Sequence, residues 1–233
     1  MTTGKWPIAG IVAASFWAWS AAHWIAPSQP DGWAGLDTKL GSVLGRAPDL
    51  DQSQAFLQRV RKAAAAGARA VVLPESAAGL WTPTASGFWM DGLRSNDVTL
   101  IVGAAIVGRE GYDNAMMEIS AGRARRLYGE RMPVPVSMWQ PWLAWTGQGG
   151  GARASFFADP VVESAGSRIA PLICYEQLLV WPVLQSMLQS PNLLVAIGND
   201  WWTAGTNVLA VQRASTQAWA RLFALPLVLA FNT

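Results

Sequence analysis

Residues 6–25 carry no formally charged side chain, and beyond them hydrophobic stretches of strand length alternate with stretches of helical periodicity. Twenty uncharged residues at about 1.5 Å per residue reach across a ~30 Å hydrocarbon core as a helix. Trp6 and Trp24 stand at its two ends, where interfacial aromatics collect, and Lys5 flanks the N-terminal side. Residues 1–26 are therefore expected to form a membrane helix or signal anchor with the N-terminus in the cytoplasm. A cleaved signal peptide is the alternative, with Ser20-Ala-Ala22 as its small-residue region. Both readings deliver the remainder to the same side of the membrane.

Residues 27–35, rich in turn formers, read as a linker. Residues 36–44 are expected as a first strand. Over residues 49–66, Phe56, Val60, Ala63 and Ala64 recur at helical spacing while Arg59, Arg61 and Lys62 lie elsewhere, and Gly67 closes the helix. Residues 70–73 are the next strand, 87–94 a short helix, and 99–107 and 115–119 two strands joined by a turn at Gly111-Tyr-Asp113. Pro133, Pro135 and Pro141 confine that stretch to a loop, which also carries Trp139, Trp142 and Trp145. Those rings either rest on a membrane surface or pack within the loop. A glycine-rich break at 147–151 precedes a strand at 168–174, a helix at 175–189 interrupted near Pro182, a strand at 193–197, a helix at 210–223 and a strand at 227–231. Strands alternating with helices predict an α/β domain over residues 36–233.

Composition narrows the function. With 52% hydrophobic and only 14% charged residues, the 233-residue chain is apolar for a soluble protein, so contact with lipid is expected. A net charge of +2 without a basic stripe disfavours nucleic acid. No His/Cys cluster exists and the acidic residues are scattered, so neither a metal nor another cofactor is expected.

The single cysteine, Cys174, sits in Pro171-Leu-Ile-Cys-Tyr-Glu176, where a buried-strand pattern gives way to polar residues. It is either a nucleophile or a small buried hydrophobe. The single histidine, His23, lies in the apolar leader, so a nucleophilic thiol needs a carboxylate as its base. Glu75 is best placed, ending the strand pattern that Pro74 stops. Glu75, Cys174 and Asn199-Asp-Trp-Trp202 all fall at the C-terminal ends of expected strands, the edge where ligands gather in open α/β sheets.

Leu73-Pro-Glu75, Ile173-Cys-Tyr-Glu176 and Gly198-Asn-Asp-Trp-Trp202, with Tyr112-Asp-Asn-Ala115, Gln212-Arg213 and Phe231-Asn-Thr233, resemble the carbon-nitrogen hydrolase (nitrilase) superfamily. The likeness is greatest to the extracytoplasmic domain of apolipoprotein N-acyltransferase, and TraB-type conjugal transfer proteins look like another branch of the lineage. The resemblance implies an α-β-β-α sandwich whose last strands lie beyond residue 233, on the periplasmic face of a bacterial inner membrane. It implies Glu75 as general base and Cys174 as a nucleophile that forms a thioester. The family's third residue, an oxyanion-stabilising lysine, is missing: aligned on Tyr128 and Pro135, its place falls to Glu130, and Met138 stands where a later glutamate is expected. Arg131, one position on, is the candidate substitute, although a guanidinium differs from an ammonium in reach and geometry.

Tyr175, Glu176, Asn199, Trp201 and Trp202 are the expected substrate-binding residues. Glu176 has the alternative of bonding backbone amides, and the paired tryptophans that of core packing. Two functions follow: a membrane-anchored, cysteine-dependent acyltransferase or amidase acting on a phospholipid, acylated or amide substrate, or a nitrilase-fold binding module that has lost catalysis and serves a conjugation or envelope assembly. The partners expected are the membrane, another copy of the chain or an envelope protein.

Overall fold

A computed structural model describes residues 6–23, 25–39, 50–146, 151–203 and 205–233. In chain order the elements are α1 (Trp6–Ala22), β1 (Trp33–Gly35), α2 (Leu50–Ala65), β2 (Ala70–Val72), α3 (Pro83–Leu93), β3 (Thr99–Gly108), β4 (Gly111–Ser120) and β5 (Arg123–Gly129). They continue with β6 (Val162–Ser164), β7 (Ser167–Ile173), α4 (Val180–Met187), β8 (Leu193–Asn199), α5 (Val208–Leu222) and β9 (Leu227–Asn232).

The strands form two sheets, β1-β2-β3-β4-β5 and β6-β7-β8-β9. Between them lie Val72, Ile101, Met116 and Tyr128 from the first and Ile173, Val195, Ile197 and Val228 from the second, all buried. The outer face of the first sheet buries Val71, Leu73, Leu100 and Val102 against Phe56 and Val60 of α2 and Trp89 of α3. The outer face of the second buries Leu172, Leu194 and Ala196 against Val183 of α4 and Ala220 of α5. This is the expected α-β-β-α sandwich. The central strands are apolar on both faces, as in β8, where every residue is buried. Parallel pairing of β1-β2-β3 and of β7-β8-β9 aligns the C-terminal ends of β2, β7 and β8 along the edges that carry Glu75, Cys174 and Asn199.

The first strand differs from expectation. It begins at Trp33, inside the expected linker, and residues 40–44 lie outside the described residues. Leu36 still donates to the Val72 carbonyl, but by Thr38 the chain has crossed to the second sheet, where Thr38 N–H donates to Phe231 O and Thr233 N–H to Thr38 O, each at 2.9 Å. Gly35 permits the crossing, since a Cβ there would lie 1.9 Å from the Leu229 carbonyl oxygen. The expected helix over 175–189 is also divided. A 3-10 turn, Cys174–Leu178, ends at the extended Leu179, and α4 then places Pro182 in its first turn, where the missing N–H costs nothing. Strands β5 and β6 were not expected, because Arg123, Arg125 and Arg126 interrupt any apolar alternation in β5 and β6 has three residues.

Helix α1 buries none of its residues. Its 17 residues span about 25 Å, and among the described residues no helix is long and apolar enough to cross a membrane. Of the expected 6–25 span the helix covers residues 6–22, and Trp24 lies outside the described residues.

Candidate active site

Strand β7 ends at Ile173, and the chain turns at once into the 3-10 turn that Cys174 opens. Cys174 holds φ +46°, a left-handed conformation that non-glycine residues adopt at a cost of order 1–3 kcal/mol and that concentrates at functional sites. The carboxylate of Glu176 fixes this elbow. Its Oε2 accepts from the N–H of Ile173 at 2.8 Å, and its Oε1 accepts from Tyr128 Oη and from the N–H of Arg131, each at 2.7 Å, with Met132 N–H at 3.3 Å. One fully buried carboxylate thus ties the cysteine turn to the end of β5. Burial raises its pKa, and Arg131 and these hydrogen bonds pull it back down.

Glu75 lies just past β2, 5% exposed, in a turn whose next residue, Ser76, has φ +61°. Gly103 of β3 admits this turn: a Cβ there would sit 2.4 Å from Glu75 Cα. Glu75 Oε1 accepts from Asn114 Nδ2 at 2.7 Å, and the same amide nitrogen donates to Glu130 Oε2 at 2.9 Å. The other oxygens, Glu75 Oε2 and Glu130 Oε1, are buried with no hydrogen-bond partner among the described residues. Burial raises the Glu75 pKa from 4.5 to about 7; the Asn114 hydrogen bond opposes this, the Asp200 charge adds to it, and the nearby Cys174 thiol and the Asn199 backbone N–H lower it. Although the thiol is close enough to act on the carboxyl in this way, Oε2 meets no donor at hydrogen-bonding geometry.

Among the described residues, the charges that act on the thiol are all acidic. The Cys174 pKa is pushed well up, first by burial and then by Glu75, Glu130 and Asp200. The Gln212 amide lies between the sulfur and Asp200. With its nitrogen turned to Asp200 it donates at 2.8 and 2.9 Å, which leaves its oxygen facing Sγ at 3.8 Å. Burial raises the Asp200 pKa to about 6 against the lowering effect of Arg213. The resting site is therefore a neutral thiol beside carboxyls whose pKa values burial has raised.

The structure corrects the expectation for Arg131. Its side chain is wholly buried and committed elsewhere: Nε donates to Tyr128 Oη at 2.8 Å, Nη1 to Gln185 Oε1 at 2.8 Å, and Nη2 to Ser186 Oγ at 3.1 Å. Nε lies 3.8 Å from Glu176 Oε1. Arg131 is not among the charges that act on the Cys174 thiol; it compensates the buried charge of Glu176 and holds α4 to β5. Glu176 likewise bonds backbone and neighbouring side chains within the fold. Asn199 is buried and accepts from Asn232 Nδ2 at 2.8 Å. Tyr175 and Trp201 are half-buried, and Trp201 Nε1 is a buried donor without a partner. The Trp202 side chain lies outside the described residues.

Asn114, Glu130, Asp200 and Gln212 were not assigned a role from the sequence, although each lies in or beside a motif quoted for the resemblance. Among the described residues no group of three or more His, Cys, Asp and Glu side chains is arranged to hold a metal ion. A hollow of about 500 Å³ lined by Thr99, Glu118, Arg125 and Arg168 involves none of the site residues.

Two sheets packed between helical layers, with a glutamate past a strand of one and a cysteine elbow past a strand of the other, define the nitrilase class of α/β protein. The chain belongs to the carbon-nitrogen hydrolase family, which matches residues 49–221. Over all 233 residues it is 59% identical to the conjugal transfer protein TraB of Agrobacterium fabrum (strain C58), covering 55% of that protein. It is 53% identical to the probable conjugal transfer protein TraB of Sinorhizobium fredii, covering 60%. The chain thus spans little more than half the length of these curated relatives. Among solved structures it is similar to a cysteine-to-alanine mutant of the Nesterenkonia AN1 amidase from the nitrilase superfamily, with TM-score 0.64 and 13% identity over 88% of this chain and 78% of that one. A glutamate-to-glutamine mutant of that amidase, showing covalent addition of the acetamide moiety of fluoroacetamide at its active site cysteine, gives TM-score 0.62 and 14% identity over the same shares. At such identities the likeness is one of fold.

Proposed function

We propose that the chain is the catalytic domain of a membrane-anchored, cysteine-dependent enzyme that transfers an acyl group, or hydrolyses an amide, through a thioester on Cys174 with Glu75 as general base. The observation that carries this reading is the meeting of a strained cysteine elbow with a buried glutamate whose pKa of about 7 suits a base at neutral pH. Glu75 Oε2, buried and unpartnered, is the oxygen free to accept the thiol proton. A base that takes the proton during attack removes the need for a resting thiolate, which the surroundings disfavour. The half-buried Tyr175 and Trp201 would border the acyl group, and the free Trp201 Nε1–H would donate to its polar end. An uncharged helix α1 with no buried residue supports membrane anchoring; in this reading the domain lies on the periplasmic face of the inner membrane, with a phospholipid or acylated protein as donor.

Intact-protein mass spectrometry after incubation with phospholipid vesicles tests the reading. The expected result is a hydroxylamine-labile acyl mass on Cys174 that is absent from Glu75→Ala. A chain that stays unmodified while Cys174 still reacts with iodoacetamide refutes it.

A second reading has its own support. Among the described residues the thiol faces three carboxyls and no cation, and the relatives are named for conjugal transfer. In this reading the sandwich is a binding module of a conjugation or envelope assembly. It expects no adduct and unchanged conjugation frequency when Cys174→Ser replaces the wild type.

A further inference from the structure

We propose that Glu130 is a catalytic acid of this site, a neutral carboxyl whose Oε1–H donates a hydrogen bond to the oxyanion that forms on a carbonyl attacked by Cys174. This inference rests on the thioester reading and adds the group that stabilises its intermediate.

The geometry divides the work between two carboxyls. Asn114 Nδ2 donates to Glu75 Oε1 and to Glu130 Oε2, so those two oxygens are held as acceptors. One oxygen remains on each side chain, Glu75 Oε2 and Glu130 Oε1, both buried and both without a partner. A neutral carboxylic acid has one O–H to donate and an ionised one has none. The free oxygen of the group that ionises more readily can take a proton, and the free oxygen of the other can give a hydrogen bond. Glu130, 1% exposed, faces Glu75 past β2, Glu176 and Cys174 of the 3-10 turn, and Tyr112 and Asn114 of β4, with Asp200 past β8 acting on the same thiol. None of these is a cation, and Arg131 is spent on Glu176, Tyr128, Gln185 and Ser186.

Burial, then the charges of Glu75 and Glu176, push the Glu130 pKa well up. Burial among like charges is an established means of keeping an acid neutral so that it can donate. In the forward step the Cys174 sulfur bonds to the carbonyl carbon, its proton passes to Glu75 Oε2, and the carbonyl π pair moves to oxygen, which accepts from Glu130 Oε1–H. When the π bond re-forms, the leaving amine or alcohol departs with the proton that Glu75 held. Glu130 keeps its own proton throughout.

Acylation and alkylation of Cys174 separate this role from a structural one, because attack on iodoacetamide creates no oxyanion. Acylation by 4-nitrophenyl butyrate and alkylation by iodoacetamide would each be followed by intact mass in the wild type, Glu75→Gln, Glu130→Leu and Glu130→Gln. Glu130→Leu is expected to slow acylation about 10²- to 10³-fold, the usual cost of one oxyanion donor, and to leave alkylation close to the wild-type rate. Glu130→Gln, whose amide N–H donates without titrating, is expected to acylate within about tenfold of wild type and to lose the fall in acylation rate above neutral pH. Equal acylation in Glu130→Leu and wild type, parallel slowing of acylation and alkylation, or an alkaline fall that persists in Glu130→Gln would overturn the proposal. Wild-type chain that never acylates defeats the thioester reading and this inference with it. Acylation that needs Glu75 and ignores Glu130 defeats this inference alone.

Discussion

At the scale of single residues, Glu75 carries the clearest consequence. Its folded-state pKa of about 7 lies above the ordinary 4.5, so the fold prefers the protonated acid. Stability linked to Glu75 is complete below about pH 4.5 and is lost as pH rises through about 7, and a shift of that size is worth about 3 kcal/mol. Glu75→Gln is therefore expected to unfold at higher urea than the wild type at pH 8, by up to about 3 kcal/mol, and to match it near pH 4.5. Urea titrations at the two pH values check this, and a wild type that is not destabilised at pH 8 contradicts the raised pKa. Glu75 and Cys174 were legible in the sequence because each ends an apolar run. Arg131 was misplaced because spacing along a chain does not reveal direction. Its guanidinium turns towards Glu176 and α4, where removing it would leave a buried carboxylate uncompensated.

Among the elements, the turns decide the site more than the strands do. The cysteine elbow and the Glu75 turn both use left-handed backbone at non-glycine residues, Cys174 and Ser76, which no propensity scale anticipates. Both are held from outside, the first by the Glu176 carboxylate and the second by close approach of β3 at Gly103. Gly103→Ala is expected to push the Glu75 turn away from β3, costing about 1–3 kcal/mol of stability as an overpacked site does. It is expected to slow acylation of Cys174 at temperatures where the variant is still folded. Acylation at the wild-type rate in folded Gly103→Ala would show that the position of Glu75 is not set by this approach. The long buried strands were legible from runs of Val, Ile, Leu and Ala. Strand β5 was not, since its arginines face outward over a sheet edge and pair with Glu118 and Asp113, which only the fold brings near.

For the whole molecule, helix α1 meets the sandwich at its C-terminal end. Helix α1 buries no residue, and Arg221 of α5 donates to the Ser20 and His23 carbonyls at its C-terminal end. Deleting residues 1–25 is expected to leave the thermal midpoint of the sandwich within a few degrees of the parent. The same deletion is expected to abolish cosedimentation with phospholipid vesicles. A large drop in midpoint would mean that α1 packs on the domain, and vesicle binding that survives deletion would place the membrane contact elsewhere, with the exposed Trp145 and Phe157 as the first candidates.

The sequence by itself determined the class of fold and set a thiol and a carboxyl at the ends of two strands. Alternation of apolar strands with amphipathic helices leaves few ways to bury those faces, and a lone cysteine with no usable histidine leaves a carboxylate as its base. Tertiary structure alone decided the charge of the site. Glu75 past β2, Glu130 past β5 and Asp200 past β8 are distant in sequence, and only the stacking of two sheets sets them around one thiol. Whether a carboxyl there is a base or an acid depends on burial and on neighbouring charge, properties a residue acquires only when the chain has closed around it.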